Sequence, residues 1–181
     1  MINMPTLIFT GPDNTGKTTT ANHLVYELGG SISIKKFKNE SDEMVMKTNV
    51  LDSLKLMRDL PKDKLMIFDR WHYPDDIIYA PIIEGKPSPL VPWIQEIKTK
   101  LMEYDVIFVV LMAAVDILKK RLIVEEKAIG STYIKHKHIE EIVSSYQQFI
   151  DDNQDIPMIV INTSDKTVEQ VCSLIRLFIS K

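Results

Sequence analysis

The run Gly11-Pro12-Asp13-Asn14-Thr15-Gly16-Lys17-Thr18 sets two glycines, a lysine and a hydroxyl in the spacing G-x-x-x-x-G-K-[ST]. Its chemistry is phosphate binding. Gly11 and Gly16 allow a tight turn whose backbone can approach a ligand closely. The N–H groups of such a turn point inward at a helix N-terminus, where negative charge is stabilised. In this arrangement Gly11, Asn14, Thr15, Gly16, Lys17, Thr18 and Thr19 surround the phosphates of ATP, with Lys17 reaching the β- and γ-phosphates and Thr18 offering its hydroxyl to Mg²⁺. From average residue usage, a chance match in a chain of this length has a probability of roughly 0.005. The competing reading is an ordinary glycine-rich turn with a threonine capping a helix.

A second acidic element is Leu65-Met66-Ile67-Phe68-Asp69-Arg70, an apolar strand ending in a carboxylate. In a parallel α/β sheet the carboxyl ends of strands face the ligand crevice, which predicts Asp69 beside the loop. There Asp69 would hold Mg²⁺ or accept the proton of an attacking hydroxyl, and Arg70 would clamp phosphate oxygens. A strand end with a surface ion pair is the alternative.

The elements that must position these groups alternate. Strand-length apolar runs fall at Thr6–Thr10, Ser31–Phe37, Leu65–Phe68, Val106–Leu111 and Met158–Ile161. Helical spacing falls at Lys17–Leu28, Met44–Met57, Pro92–Tyr104, Val115–Val124, His138–Ile150 and Thr167–Ile179. This predicts one α/β domain over 1–181, with a five-stranded parallel sheet covered by helices on both faces. Gly29-Gly30 is expected to close the first helix, and Asp116 or Ser164-Asp165 to open later ones. The four prolines between Pro81 and Pro92, with Gly85, predict a loop. Met44, Met46 and Met57 are expected to pack a core from one helix.

Composition bounds the partners. The chain has 181 residues, 45% hydrophobic and 26% charged, with a net charge of -3. These are ordinary globular values without the basic excess of a nucleic-acid binder, so no nucleic-acid partner is expected. Cys172 is the single cysteine, which gives no intrachain disulfide and reads as a buried helix residue. Leu7 to Phe9 is too short for a signal-peptide core, and no apolar run reaches membrane-helix length, so no membrane partner and a cytoplasmic location are expected.

With these landmarks in order, the sequence resembles the thymidylate kinase and deoxynucleoside kinase superfamily, whose fold is that of the P-loop NTPases. The resemblance spans nearly the whole chain: Gly11–Thr18, Asp69-Arg70, Arg121 after the fourth strand, and the strand-turn Ile159–Ser164. It implies a kinase that uses ATP and Mg²⁺, with Thr18 and Asp69 on the metal and Lys17, Asp69, Arg70 and Arg121 as catalytic residues. It further implies Asn162 and Thr163 with Arg121 at the adenine, a lid over about 125–137, and a homodimer. Asp13 and the triplet Asp69-Arg70-Trp71 are similar to the thymidylate kinases, where the acidic loop residue meets the sugar of a monophosphate acceptor. Tyr73, Asp75, Tyr79 and Ala80 instead match the spacing of the deoxynucleoside kinase signature, with Asp75 toward the base network and Tyr79 stacked on the base. Asp13, Arg70, Asp75 and Tyr79 are thus the expected acceptor-binding set.

Two departures qualify that expectation. Ile32–Glu40 lacks the Glu-Pro motif that carries the base in the nucleoside branch, so a monophosphate acceptor comes first and a deoxynucleoside second. The lid carries Val124, Glu125, Glu126 and Lys127 where the superfamily places arginines, leaving Arg121, Lys127, Lys135 and Lys137 as candidate cations. An arginine aimed at the transferring phosphoryl is worth about 10³-fold or more in such enzymes. The thin lid therefore also motivates a regulator that binds nucleotide with weak or lost transfer. A P-loop ATPase acting on a protein or nucleic acid is less supported. Lys135-His136-Lys137-His138 reads as a solvated start to a helix, since His136 and His138 lack a zinc-ligand pattern.

Overall fold

The computed structural model describes residues 4–34, 43–59, 63, 65–129 and 136–180. Its elements are β1 (Thr6–Thr10), α1 (Lys17–Leu28), β2 (Gly30–Ile34), α2 (Glu43–Asp59), β3 (Leu65–Asp69), α3 (His72–Tyr79), α4 (Ile94–Met102), β4 (Val106–Met112), α5 (Val115–Ile129), α6 (Ile139–Asp152), β5 (Met158–Asn162) and α7 (Val168–Ile179). The four strands whose side chains are described run β3-β1-β4-β5, and Gly30–Ile34 pairs along the outside of β3, giving the order β2-β3-β1-β4-β5. Every pairing is parallel. Residues 35–37 of the expected second strand, and Lys135 with residues 130–134 of the expected lid, lie outside the described residues.

Alternation along the strands builds two cores. Leu7 and Phe9 of β1, Ile67 of β3 and Val109 and Leu111 of β4 face α1 and α7, meeting Ala21, Leu24, Val171, Cys172 and Ile175. Ile8, Phe68, Phe108 and Val110 face the other way and pack with α2 to α6 through Met46, Leu54, Ile97, Leu118, Ile142 and Phe149. Fully burying each of the larger side chains contributes roughly 1.5–3 kcal/mol. Cys172 is a free, buried core residue on α7, as expected. No described helix is long and apolar enough to cross a membrane.

Helix ends follow local chemistry. Gly16, with φ 88°, precedes α1, and Gly29, with φ 68°, ends it by donating its N–H to Val25 O at 3.0 Å. Neither Asp116 nor Ser164-Asp165 caps a helix. Thr167 opens α7 through a reciprocal capping box with Gln170, which Ser164 lacks the partner to form. Ser164 instead accepts the N–H of Ala114 at 2.9 Å, and Asp116 lies inside the first turn of α5.

Four expectations are corrected. His72–Tyr79 is helical, and a π-helical turn, Ala80–Glu84, continues it where a loop was predicted. α5, expected over Val115–Val124, runs on to Ile129 through the first residues of the expected lid, since no glycine or proline interrupts the helix there. Pro92–Tyr104 is divided into a 3₁₀ turn, Val91–Trp93, and α4. Met46 and Met57 are buried, whereas Met44 is 71% exposed because it stands off the stripe formed by Met46, Val50, Leu54 and Met57.

Candidate active site

The parallel register brings the sequence landmarks together. Phe9 of β1 pairs with Asp69 of β3, and the Arg70 N–H extends the ladder to Phe9 O at 3.0 Å. Asp69 and Arg70 therefore emerge beside Gly11–Thr18, the loop that joins β1 to α1. Met112 of β4 pairs with Asn162 of β5, and the Thr163 N–H reaches Met112 O at 2.8 Å, which sets Asn162 and Thr163 on the same sheet edge.

The loop is tightly specified. Gly11 has φ +131°, and a Cβ there would lie 2.1 Å from Leu111 O. Asn14 takes a left-handed φ of 64°. The Thr15 hydroxyl donates to Pro12 O at 2.9 Å, and Thr15 is buried. Lys17 Nζ donates to Gly11 O at 2.8 Å and Pro12 O at 2.6 Å, so the ammonium is held inside the curve of the loop. Burial, and then the Arg70 charge, push the Lys17 pKa down to about 7, against the pull of Asp13, Asp75 and Asp69.

Two clusters of opposite character flank Lys17. On one side the Thr18 hydroxyl donates to Asp69 Oδ2 at 2.6 Å, while Asp69 Oδ1 is buried with no hydrogen-bond partner among the described residues. A hydroxyl and a carboxylate with an unsatisfied oxygen are a hard-oxygen donor set that fits a divalent cation bound jointly with phosphate. Thr19, the next loop residue, is exposed.

On the other side Arg70, whose own φ is 74°, makes a short ion pair with Asp13 and lies 3.8 Å from Asp75 Oδ2. Burial raises the Asp13 pKa, but Arg70 and Lys17 outweigh it, so Asp13 is held below its ordinary value and ionised. Asp75 is fully buried; burial raises its pKa to about 6 in spite of Arg70, Thr10, Tyr146 and Lys17. The Tyr79 ring stands 5.9 Å from the Arg70 guanidinium carbon and edge-on to Tyr146 at 6.2 Å between centroids. Asp13, Arg70, Asp75 and Tyr79 thus meet in one cluster.

Arg121 joins two walls. From α5 its Nη1 donates to Asn14 O at 2.9 Å and Thr163 Oγ1 at 3.3 Å, and its Nη2 donates to Thr163 O at 2.8 Å. It meets the loop and the turn after β5 at once, while Asn162 Oδ1 accepts the Ser164 N–H at 2.9 Å and shapes that turn. Lys127 lies exposed near the end of α5, and Lys137 is exposed on the 3₁₀ turn His136–His138 ahead of α6.

Sequence reasoning missed Thr10 and Tyr146, both of which bond to Asp75. A signal existed for each. Thr10 is a polar residue ending an apolar strand, and Tyr146 interrupts the buried stripe Ile139, Ile142, Phe149 and Ile150, where a phenol requires a partner.

No family model and no curated protein sequence matches the chain. Solved structures do. YorR from Bacillus subtilis, in complex with phosphorylated GDP, aligns with TM-score 0.74 at 22% identity over 97% of this chain and 95% of its own. The deoxyadenosine kinase of M. mycoides with bound dATP aligns at 0.67 and 18%, over 97% and 100%. Thymidylate kinase from Candida albicans aligns at 0.62 and 14%, over 98% and 92%. The chain has the P-loop kinase fold. In that fold the two clusters meet at one phosphate loop beside Lys17, the Thr18–Asp69 pair suited to metal and the Asp13–Arg70–Asp75 group to a polar ligand.

Proposed function

We propose that the protein transfers the γ-phosphoryl group of ATP to a deoxynucleoside monophosphate of the thymidylate type. The reading is carried by one observation: the Thr18–Asp69 pair and the Asp13–Arg70 pair flank the same Lys17-bearing loop. Gly11 to Thr19 would bind the ATP phosphates, and Arg121, Asn162 and Thr163 would bound the adenine. Thr18 and Asp69 would hold Mg²⁺, which neutralises phosphate charge when bound. Asp13, kept ionised by Arg70, accepts a hydrogen bond from a sugar hydroxyl, and Asp75 and Tyr79 enclose the acceptor. Transfer forms a bond from an acceptor oxygen to the γ-phosphorus and breaks the bond from that phosphorus to the β,γ-bridging oxygen. Lys17, Arg70 and Arg121 screen the charge, so positioning and electrostatics supply the catalysis.

The acceptor choice follows from proton accounting. A monophosphate oxygen is largely unprotonated at neutral pH and needs no base, whereas a 5′-hydroxyl must lose a proton to a carboxylate. The absence of a Glu-Pro motif in Ile32–Glu40 favours the former. A deoxynucleoside is the second reading, favoured by Asp13 and Asp75 around the single Arg70 guanidinium, because a neutral acceptor adds no further negative charge.

The deciding assay follows ADP release from ATP-Mg²⁺ with a panel of deoxynucleosides and their monophosphates. A monophosphate, dTMP foremost, is expected to give the fastest release. A nucleoside preference moves the assignment to the second reading. ATP binding without any acceptor-dependent ADP overturns both and leaves a nucleotide-binding regulator.

A further inference from the structure

Asp75 lies where three elements converge. It sits on α3; Thr10 ends β1 directly before the loop; Tyr146 comes from the middle of α6. Both hydroxyls donate to the same oxygen, Asp75 Oδ1, Thr10 through a short bond and Tyr146 at 2.6 Å. The other oxygen, Oδ2, has no hydrogen bond among the described residues and faces Arg70 Nη1 at 3.8 Å. Tyr146 is fully buried, and burial drives its pKa well above the ordinary tyrosine value, so its hydroxyl stays a donor.

A buried phenol needs a partner, and any acceptor in the core would serve that need. Tyr73 shows the ordinary solution: its hydroxyl donates to the neutral amide oxygen of Asn153 at 2.8 Å. Tyr146 instead spends its hydroxyl on a carboxylate that confronts the guanidinium of the site. With both donors on Oδ1, the carboxylate cannot rotate without breaking two charge-assisted bonds.

We propose that Tyr146 is a positioning residue for phosphoryl transfer: with Thr10 it fixes one oxygen of Asp75 so that the other stays turned to Arg70, and thereby holds the guanidinium on the acceptor side of the loop. The inference rests on the acceptor-side assignment given under the proposed function. The charged and titratable groups facing Asp75 are Arg70, Lys17 and the phenols of Tyr146 and Tyr79, with Thr10 as the second donor. Because the Tyr146 bond favours the ionised carboxylate, its removal raises the Asp75 pKa and leaves less carboxylate at neutral pH to hold Arg70.

Tyr146→Phe keeps the ring and removes only the hydroxyl. At pH 7 the KM for dTMP is expected to rise about tenfold, the value of one hydrogen bond to a charged group, while the KM for ATP is unchanged. The acid limb of the kcat/KM profile should move up by about one pH unit. Tyr73→Phe removes the hydroxyl of another buried tyrosine, one that bonds Asn153 and not Asp75; it is expected to lower Tm and to leave both readouts in place. In an Asp75→Asn background, Tyr146→Phe should add no further loss. The inference is overturned if Tyr146→Phe lowers Tm with an unmoved profile, if Tyr73→Phe shifts the profile equally, or if the losses in the double variant are additive. Should the wild-type protein show no acceptor-dependent turnover, the functional reading fails separately. Carboxyl ¹³C NMR titration of Asp75 then decides: a raised titration point in Tyr146→Phe supports the positioning, and an unmoved one refutes it.

Discussion

Gly11→Ala tests the architecture of the loop most directly. The added Cβ would lie 2.1 Å from Leu111 O, 3.0 Å from Leu111 C and 3.2 Å from Leu111 N, all backbone atoms of β4, the strand paired beside β1. Ordinary contact begins at 3.4 Å, so the loop must retreat by 3.4 − 2.1, or 1.3 Å. The φ of +131° is in addition a conformation that an L side chain resists. Strain of about 1–3 kcal/mol for such a backbone and a similar overpacking term together give a loss of about 2–6 kcal/mol. The same displacement carries the loop amides off the phosphates, and a misplacement of about 1 Å can cost on the order of 10²-fold in activity. Two glycines serve as controls. Gly16, with φ +88°, would meet only Thr20 Oγ1 at 4.0 Å, and Gly85, with φ +69°, meets nothing within 4 Å. Gly85→Ala should therefore lose only about 1 kcal/mol of left-handed strain with ATP binding intact, and Gly16→Ala should be intermediate. Urea denaturation and fluorescence titration of ATP read both quantities. A Gly11→Ala loss no larger than that of Gly85→Ala, with unchanged ATP affinity, would refute the close approach of loop and strand.

Three further variants address the charges. Asp75 is raised from the ordinary 3.8 to about 6 by burial, so the folded state binds its proton more tightly than the unfolded chain. Its contribution to stability is fully present below 3.8 and is lost as pH rises through about 6. Relative to Asp75→Asn, the wild type should lose about 2 kcal/mol between about pH 4.5 and 7 in urea denaturation, and a constant difference would contradict the burial argument. Asp69→Asn removes one negative oxygen beside Thr18, and a Mg²⁺ titration of turnover at fixed ATP should shift at least about tenfold; an unmoved titration separates Asp69 from the metal. Arg121→Lys cannot span Asn14 O and Thr163 O with a planar fork, so ATP affinity should fall about tenfold with the acceptor KM unchanged, as equilibrium titration and initial rates would show.

What was legible in the sequence is what depends on local backbone requirements. The phosphate loop is set by glycines whose φ values are positive, 131° at Gly11 and 88° at Gly16, and by a lysine and threonine at fixed offsets, so a short window contains the whole signal. Asp69 was readable because a buried parallel strand must end somewhere, and its end is the crevice. By contrast α3 was missed because its buried face carries His72, Tyr73, Pro74, Asp75 and Asp76, polar or cyclic residues that erase the apolar periodicity by which helices are recognised. Thr10 and Tyr146 lie 65 and 71 residues from Asp75 in the chain, and no local spacing encodes a hydrogen bond across that distance. The cluster of Asp13, Arg70, Asp75 and Tyr79 was therefore legible in the sequence, while the donors that fix Asp75 became visible only in the fold.

The topology explains why one arginine can serve two roles. With β1 central and β4 and β5 in parallel register beside it, the chain leaves the sheet edge at Thr10, Asp69, Met112 and Asn162. The loop after β1 and the turn after β5 are then separated by the end of β4, and a side chain reaching from α5, the helix that follows β4, stands between them. Arg121 is that side chain, and among the described residues its hydrogen bonds go to Asn14 and Thr163. A guanidinium carries five N–H donors in a fixed plane, so one side chain can make this bridge and still present donors toward the cleft. Arg121 can thus set the width of the cleft with one edge and meet the bound ligand with the other. A lysine in its place would have a single nitrogen for both tasks and no fixed angle between them. This geometry bears on the arginine-poor segment that follows: the same guanidinium that bridges the cleft walls can also contribute charge next to the loop.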